Sequence, residues 1–157
     1  MSKKTKKDAL KATTHLLAAI TAISADENLA GNFIALPDVI LDNITDTLML
    51  SIEIGGENQA GSSTTSIIED NTFKPLFIIG STETPAALRP CNTLDEKTIL
   101  IVAEIADTNQ DPDNNITTIT ISLSAAGKTV FKDHHETTVK NEGDIAKFIY
   151  KISCHVI

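Results

Sequence analysis

Apolar and polar residues alternate in several short segments of this chain. In residues 47–54 every second position is leucine or isoleucine, while Ser51 and Glu53 fall on the opposite side. A period of two predicts a β-strand with one buried face and one solvent-exposed face. The same alternation predicts further strands over residues 116–124, 129–139 and 145–157.

Other apolar segments do not alternate. Residues 98–105 are almost continuously apolar, which predicts a central strand. Residues 33–36 and 39–41 are short apolar runs separated by Pro37, and they predict bent or edge strands because proline cannot donate a ladder hydrogen bond. Residues 77–79 predict a short buried strand.

Small and polar residues predict the connections. Residues 55–65 contain no large apolar side chain and are predicted to form a loop. Residues 81–97, which include two prolines, are predicted to form a long connection. Residues 125–128, around Gly127, predict a hairpin turn.

One segment has the period of a helix. Residues 8–24 begin at Asp8, whose carboxylate can accept hydrogen bonds from the first amides of a helix. Apolar side chains recur at helical spacing in Leu10, Leu16, Leu17, Ile20 and Ile23. We predict an amphipathic α-helix whose apolar side needs a surface to cover, either in its own domain or in a neighbouring subunit.

Strands joined by short turns, with no helices between them, predict an antiparallel β-sandwich or a jelly-roll-like domain. The length of 157 residues suits one such domain. We therefore expect a mainly β protein in two parts. Residues 1–24 form a basic N-terminal tail and an amphipathic helix, and residues 25–157 form a single β-sandwich domain.

The net charge of −8 is unevenly distributed. Residues 1–11 hold five lysines and one acidic residue, whereas the other 146 residues hold 20 acidic and eight basic residues, a net charge of −12. A body this acidic repels nucleic acid, so we expect no DNA or RNA partner. No apolar run reaches the roughly 18–20 residues that span a bilayer, so no membrane span is expected.

The basic tail and the apolar stripe together predict an interface. Lysines near a helix N-terminus oppose the helix dipole, and the acidic body of another copy would compensate them. We expect a homo-oligomer, or a complex with another protein, in which the contacting residues are Lys3, Lys4, Lys6, Lys7, Leu10, Leu17 and Ile20. The alternative is a solvated tail that keeps the chain soluble.

One polar cluster has the spacing of a calcium-binding loop. Oxygen-bearing side chains occupy every second position at Asp107, Asn109, Asp111 and Asp113. An EF-hand is excluded because Pro112 occupies the position at which that motif needs glycine. The alternative is a hairpin loop made of residues that favour turns. Ca²⁺ is the one cofactor that the sequence suggests, and turn formation explains the same residues.

Motifs for catalysis do not occur in this sequence. His134 and His135 are adjacent, but neighbouring side chains on a strand point to opposite faces, so the pair is not expected to bind one metal ion. Gly127-Lys128-Thr129 lacks the preceding glycine of a phosphate-binding loop. No Gly-x-Ser-x-Gly motif occurs. We expect a protein that is not an enzyme.

The cysteines and the N-terminus bear on the cellular compartment. Cys154 falls on the apolar side of the last predicted strand and is expected to face the core, while Cys91 follows a proline in a predicted connection. Two cysteines are not a disulfide framework. Lysines followed by a short apolar stretch resemble a signal peptide, but Asp8 and the short apolar core argue against one. We expect a location in the cytoplasm, or in a particle assembled there, rather than secretion by a signal peptide.

Three functions are compatible with these features. The first is a non-enzymatic structural or assembly protein that self-associates through its N-terminal helix and its acidic β-sandwich. The second is a calcium-dependent ligand- or carbohydrate-binding module that uses the loop over residues 107–113. The third is an acidic inhibitor or immunity-type protein that covers a basic partner. We favour the first because it uses both the charge asymmetry and the apolar stripe.

Overall fold

The structure is a computed structural model that describes residues 32–55, 59–69, 75–108, 116–139 and 143–157. The helix predicted over residues 8–24 lies outside these ranges. The described chain forms ten strands: β1 Asn32–Ala35, β2 Asp38–Leu41, β3 Thr47–Ile54, β4 Gln59–Ile68, β5 Leu76–Ile79, β6 Ala86–Pro90, β7 Thr98–Asp107, β8 Ile116–Ala125, β9 Lys128–Thr138 and β10 Ile145–Val156. One 3₁₀ turn, Cys91–Thr93, follows β6. Within these ranges no helix has the length and hydropathy that crossing a lipid bilayer requires.

The strands form two sheets. The six-stranded sheet has β1 and β2 paired with successive parts of β10, followed by β7, β4 and β5. The four-stranded sheet has the order β6, β3, β8, β9. Residues from both sheets, among them Leu50, Ile101, Ile121 and Phe148, form one buried hydrophobic cluster. The prediction of a mainly β protein is confirmed, and the shared core is consistent with a sandwich.

At one edge the six-stranded sheet departs from the predicted antiparallel pairing. β1 and β2 run parallel to β10, whereas the other strand pairs are antiparallel. Pro37 lies between β1 and β2, and its carbonyl accepts a hydrogen bond from the Ser153 N–H at 2.9 Å. Because proline has no N–H for the ladder, it divides this edge segment into two short strands, as its position in the sequence predicted.

The loop predicted over residues 55–65 is wrong from Gln59 onward, where β4 begins. β4 pairs with β7 on one side and with β5 on the other, so its backbone hydrogen bonds are satisfied although its side chains are small. At Gly61 the backbone of β4 lies close to β7 and to the side chain of Ile54. A Cβ atom on Gly61 would lie 2.8 Å from the Glu104 carbonyl oxygen and 2.9 Å from Ile54 Cδ1. Pairing on both sides therefore overrides the turn-like composition of this segment.

Two further differences concern the chain between β4 and β7. β5 is not the buried strand that the sequence predicted, because Phe77 and Ile79 are exposed. The connection predicted over residues 81–97 contains β6, which pairs with β3. Ahead of β6, the Ile52 N–H donates to the Thr82 hydroxyl at 3.0 Å, and the Thr82 N–H donates to the Ile52 carbonyl at 2.8 Å. The chain thus passes from the first sheet to the second along the edge of β3.

The β8–β9 hairpin agrees with the sequence prediction. Ala126 and Gly127 form its turn, with φ angles of 48° and 74°. Positive φ at both central residues matches the right-handed twist of two antiparallel strands. The strands predicted over residues 116–124, 129–139 and 145–157 are confirmed as β8, β9 and β10.

Candidate functional site

The six-stranded sheet has an outer face, which points away from the four-stranded sheet and carries many apolar side chains. Its residues alternate along each strand with those of the core. They include Ile34, Ile40, Phe77, Ile79, Leu100, Val102, Ile145 and Ile149. Leu100 and Ile149 are buried, yet neither belongs to the cluster between the sheets. Phe77 and Ile79, on the β5 edge, are 61% and 79% exposed.

One row of this outer face crosses the whole sheet. In the strand registers, Ile34 of β1 lies beside Ile149 of β10, and Ile149 lies beside Val102 of β7. Val102 lies beside Thr64 of β4, and Thr64 lies beside Phe77 of β5. Side chains of directly paired residues point to the same face. We call these five residues the apolar row, since Thr64 is its one polar member.

A charged pair flanks the apolar row. Lys147 precedes Ile149 by two residues on β10, and its Nζ lies 3.1 Å from Glu104 Oε1 on β7. An exposed pair of this kind contributes about 1 kcal/mol or less to stability. The pair lies beside the row and not within it, so the row itself carries no charged side chain.

The outer face is indented near the β5 edge. The depression is lined by side chains from β4, β5, β7 and β10, among them Ala60, Ser62, Phe77, Ile79, Ala106 and Ile145. It is open to solvent and mainly apolar. An apolar patch with a depression is typical of a surface that contacts another protein segment.

The outer face of the four-stranded sheet has the opposite character. Its central pairs are Thr118 with Glu136, Thr120 with His134, and Ser122 with Lys132. The Thr120 hydroxyl lies 2.8 Å from His134 Nδ1. One sheet of the protein thus has a polar outer face and the other an apolar one. The apolar face is a specific feature and not a general consequence of a composition rich in isoleucine.

Only one member of the predicted calcium loop falls within the described ranges. Asp107 is the last residue of β7 and is buried. Its N–H donates to the Asp144 carbonyl at 3.3 Å, and its carbonyl accepts from the Gly143 N–H at 2.7 Å. The other predicted ligands, Asn109, Asp111 and Asp113, lie outside those ranges. In the part of the chain that is described, no group of three or more His, Cys, Asp or Glu side chains is placed to hold a metal ion. Calcium binding stays a prediction.

The adjacent histidines lie on opposite faces of β9, as the strand period predicted. His134 is exposed on the outer face, where its Nε2 lies 3.5 Å from Glu136 Oε1. His135 points inward and stacks on Phe33. The two rings therefore do not face a common metal position.

Both cysteines are buried and free. Cys154 faces the core, as predicted. Burial, with the Cys91 thiol nearby, raises the pKa of the Cys154 thiol to about 11. Burial also raises the pKa of the Cys91 thiol, with a further contribution from the Asp46 carboxylate. Buried thiols that keep their protons are poor nucleophiles.

The predicted interface residues Lys3, Lys4, Lys6, Lys7, Leu10, Leu17 and Ile20 lie outside the described ranges. The structure adds the outer face, which the sequence analysis missed. Its signal is present in β7, where Leu100 and Val102 alternate with the core residues Ile99, Ile101 and Ala103. A strand that is apolar on both sides is typical of a sheet covered on both faces.

Comparison with protein-family models, with curated proteins and with solved structures finds no match to this chain.

Proposed function

We propose that this protein is a non-enzymatic structural protein that self-associates through its predicted N-terminal helix and its acidic β-sandwich. The observation that carries the proposal is the apolar outer face of the six-stranded sheet, with Phe77 and Ile79 exposed at its edge. Exposed large apolar side chains beside an apolar sheet face are typical of surfaces that contact another protein. A surface of this kind supports a function in contacts between proteins.

The charge distribution supports contact between copies of the same chain. Residues 1–11 carry a net charge of +4, and the remaining residues carry −12. The basic tail of one copy is therefore attracted to the body of the next. Because such a contact joins two different surfaces, it is heterologous and can continue into a ring or a filament. A particle assembled in the cytoplasm is the setting that we propose.

Light scattering on the intact chain tests this function. We expect the wild type to have a mass several times the 16.8 kDa of one chain. Replacing two residues of the apolar stripe, Leu17→Asp with Ile20→Asp, should reduce that mass because charge is placed in the contact. The matched control is Ala18→Asp with Ala22→Asp, which adds the same charge on the opposite side of the predicted helix.

A wild-type mass of 16.8 kDa over the accessible concentration range would contradict self-association. An equal loss of mass in the stripe variant and in its control would show that added charge, and not the apolar stripe, governs assembly. Raising the salt concentration should reduce the mass of the wild-type oligomer, because salt screens attraction between exposed opposite charges.

A further inference from the structure

We propose that β5 pairs antiparallel with β5 of a second copy of this chain, so that Phe77 of one copy lies beside Ile79 of the other. β5 is the last strand of the six-stranded sheet, and among the described residues it pairs with β4 alone. The contact uses a sheet edge and not the N-terminal helix. It therefore goes beyond the self-association proposed above and adds a second kind of contact.

The backbone of β5 has hydrogen-bonding groups that point away from β4. The Gly80 N–H donates to the Gly61 carbonyl at 2.7 Å, so Gly80 directs its backbone groups toward β4. In an antiparallel ladder this direction alternates from one residue to the next. Ile78 therefore also faces β4, whereas the N–H and C=O groups of Phe77 and Ile79 point to the open edge. An edge strand that offers such groups is a template for pairing with another chain.

These outward groups select one register for two copies of β5. When Phe77 is opposite Ile79 of the second copy, every outward N–H and C=O group of both residues has a partner. A shift of two residues in one direction would place Ile79 opposite Pro75, which has no N–H to donate. The opposite shift would place Phe77 opposite Ser81, beyond Gly80, whose φ of 71° ends the strand. β5 is thus complementary to itself about a two-fold axis.

The side chains at this edge also fit a strand of the same sequence. Phe77 and Ile79 are 61% and 79% exposed, and both lie on the outer face of the sheet. Directly paired residues share a face, with Cβ atoms about 4.5–5.5 Å apart, so Phe77 of each copy would cover Ile79 of the other. The contact uses exposed side chains only and does not need the buried middle of the outer face.

The other sheet edges of the described chain carry features that oppose pairing. β9 has the charged residues Lys132 and Glu136 on its outer face. β6 ends at Pro90, and Pro37 divides the edge formed by β1 and β2. Charged side chains and prolines are common protection for an edge strand. β5, with the sequence LFII, contains neither.

The sequence of the N-terminal residues does not offer a matching strand from the same chain. Residues 8–24 have helical spacing, and residues 1–7 contain four lysines, for which β5 has no acidic partner. Residues 25–31 lead into β1 at the opposite edge of the sheet, about 19 Å from β5 at a spacing of about 4.8 Å between strands. Seven extended residues span about 24 Å, so crossing the sheet would use nearly all of them. A second copy, which presents the complementary strand, is the occupant that these features favour.

Light scattering on full-length variants tests the β5 contact. All chains carry the two substitutions of the stripe variant, which weaken the helix contact. The edge variant adds Phe77→Lys with Ile79→Lys, so that like charges would lie directly opposite each other in the dimer. The matched control adds Ile40→Lys with Ile157→Lys, at residues that are 62% and 77% exposed near the opposite edge of the same sheet.

A pair of four-residue strands is smaller than the roughly 1,200–2,000 Å² of a stable interface, so we expect a dimer whose fraction rises with concentration. The stripe variant should approach twice the 16.8 kDa of one chain, and the control should follow it. The edge variant should have a dimer dissociation constant raised by about tenfold or more. Equal loss of dimer in the edge variant and in the control would overturn the proposal. Ile79→Pro provides a second variant, because it removes an N–H that points away from β4 and should also weaken the dimer.

Disulfide formation tests the register. In the proposed register the Cα atoms of Phe77 and of Ile79 in the second copy are about 5.5 Å apart, a distance that a disulfide can bridge. Oxidation of Phe77→Cys chains mixed with Ile79→Cys chains should give dimers with one chain of each, at least about fivefold more than Phe77→Cys mixed with Ile40→Cys. Intact mass spectrometry identifies the chains. Equal yields from the two mixtures would overturn the register, and the native cysteines do not compete because they are buried.

The masses of the wild type and of the stripe variant separate this inference from the proposed function. A wild-type oligomer whose stripe variant is monomeric at every accessible concentration supports the helix contact and overturns the β5 contact. A dimer of equal mass in both chains, lost in the edge variant, supports the β5 contact and contradicts self-association through the helix. A monomeric wild type contradicts both.

Discussion

The ring of Phe33 stacks on the ring of His135, with centroids 3.4 Å apart and an angle of 17° between the planes. Phe33 lies on β1, at the edge of the six-stranded sheet, and His135 lies on β9, at the edge of the four-stranded sheet. The contact therefore closes the space between the sheets along one side. Phe148 and Tyr150 of β10 surround it, and Tyr150 meets Phe33 edge to face at 5.6 Å.

Replacing Phe33→Ala should destabilise the fold by about 2–3 kcal/mol, because it removes a large apolar ring and its aromatic partners. Phe33→Leu keeps much of the apolar volume, so it should cost about 1 kcal/mol, mainly from the lost stacking. Urea unfolding followed by circular dichroism measures both changes. Equal stabilities for the wild type and Phe33→Ala would show that this edge does not hold the sheets together.

Thr65 presents a buried polar group on β4. Thr65 is 1% exposed, and its hydroxyl has no hydrogen-bond partner among the residues that the structure describes. A buried hydroxyl without a partner costs about 1–3 kcal/mol. Thr65→Val keeps the branched shape and removes that hydroxyl, so we expect a gain of about 1 kcal/mol. Thr64→Val, on the outer face of the same strand, is the control and should change stability by about 0.5 kcal/mol or less. A loss of stability in Thr65→Val would show that the hydroxyl has a partner in solution.

The alternation of apolar and polar residues identified the strands whose two faces differ. β3 and β8 have Leu48, Leu50, Ile119 and Ile121 on the core side and mostly polar residues on the other side, so a period of two located them. The turn at Gly127 was also predictable, because glycine accommodates positive φ.

The alternation of apolar and polar residues did not predict β4 or the apolar row, because neither is determined by the sequence of one segment alone. β4 consists largely of serine, threonine and glycine, and it is a strand because β5 and β7 supply its hydrogen bonds. The apolar row is formed by residues from five strands that are distant in sequence, so it exists only once the registers are fixed. Strand order does not follow from periodicity, and the candidate site depends on strand order.

The stability of the protein should fall at alkaline pH because of its buried thiols. The pKa of Cys154 is raised to about 11, whereas an unfolded cysteine ionises near its usual pKa of about 8.5. The unfolded chain therefore loses this proton first as the pH rises. Stability is complete below the unfolded pKa and declines toward the folded one, by about 1.4 kcal/mol per pH unit for each such group.

Urea unfolding at a series of pH values from about 8 to about 11 tests the contribution of Cys154. Cys154→Ala should lower stability at the start of the series, because it leaves a small cavity, and should make the decline shallower. Some decline should remain, since burial, together with the Asp133 carboxylate, also raises the pKa of Tyr150. A slope identical to that of the wild type would show that the Cys154 thiol is accessible to water in the folded protein.

At acidic pH the ion pair between Glu69 and Arg89 should control part of the stability. Glu69 follows β4 in one sheet and Arg89 lies on β6 in the other, so their hydrogen bond links the two sheets. This bond lowers the pKa of Glu69, against the opposing effect of burial, and Lys97 Nζ at 3.6 Å lowers it further. The contribution of Glu69 to stability is thus complete above its unfolded pKa and is lost as the pH falls through the lower, folded value.

Glu69→Gln should reduce the free energy of unfolding by about 0.5–1 kcal/mol at neutral pH, and the difference from the wild type should disappear under acid conditions. Arg89→Ala removes the partner and should reproduce this profile, so a constant difference at all pH values would mean that the loss comes from packing and not from the charge of Glu69.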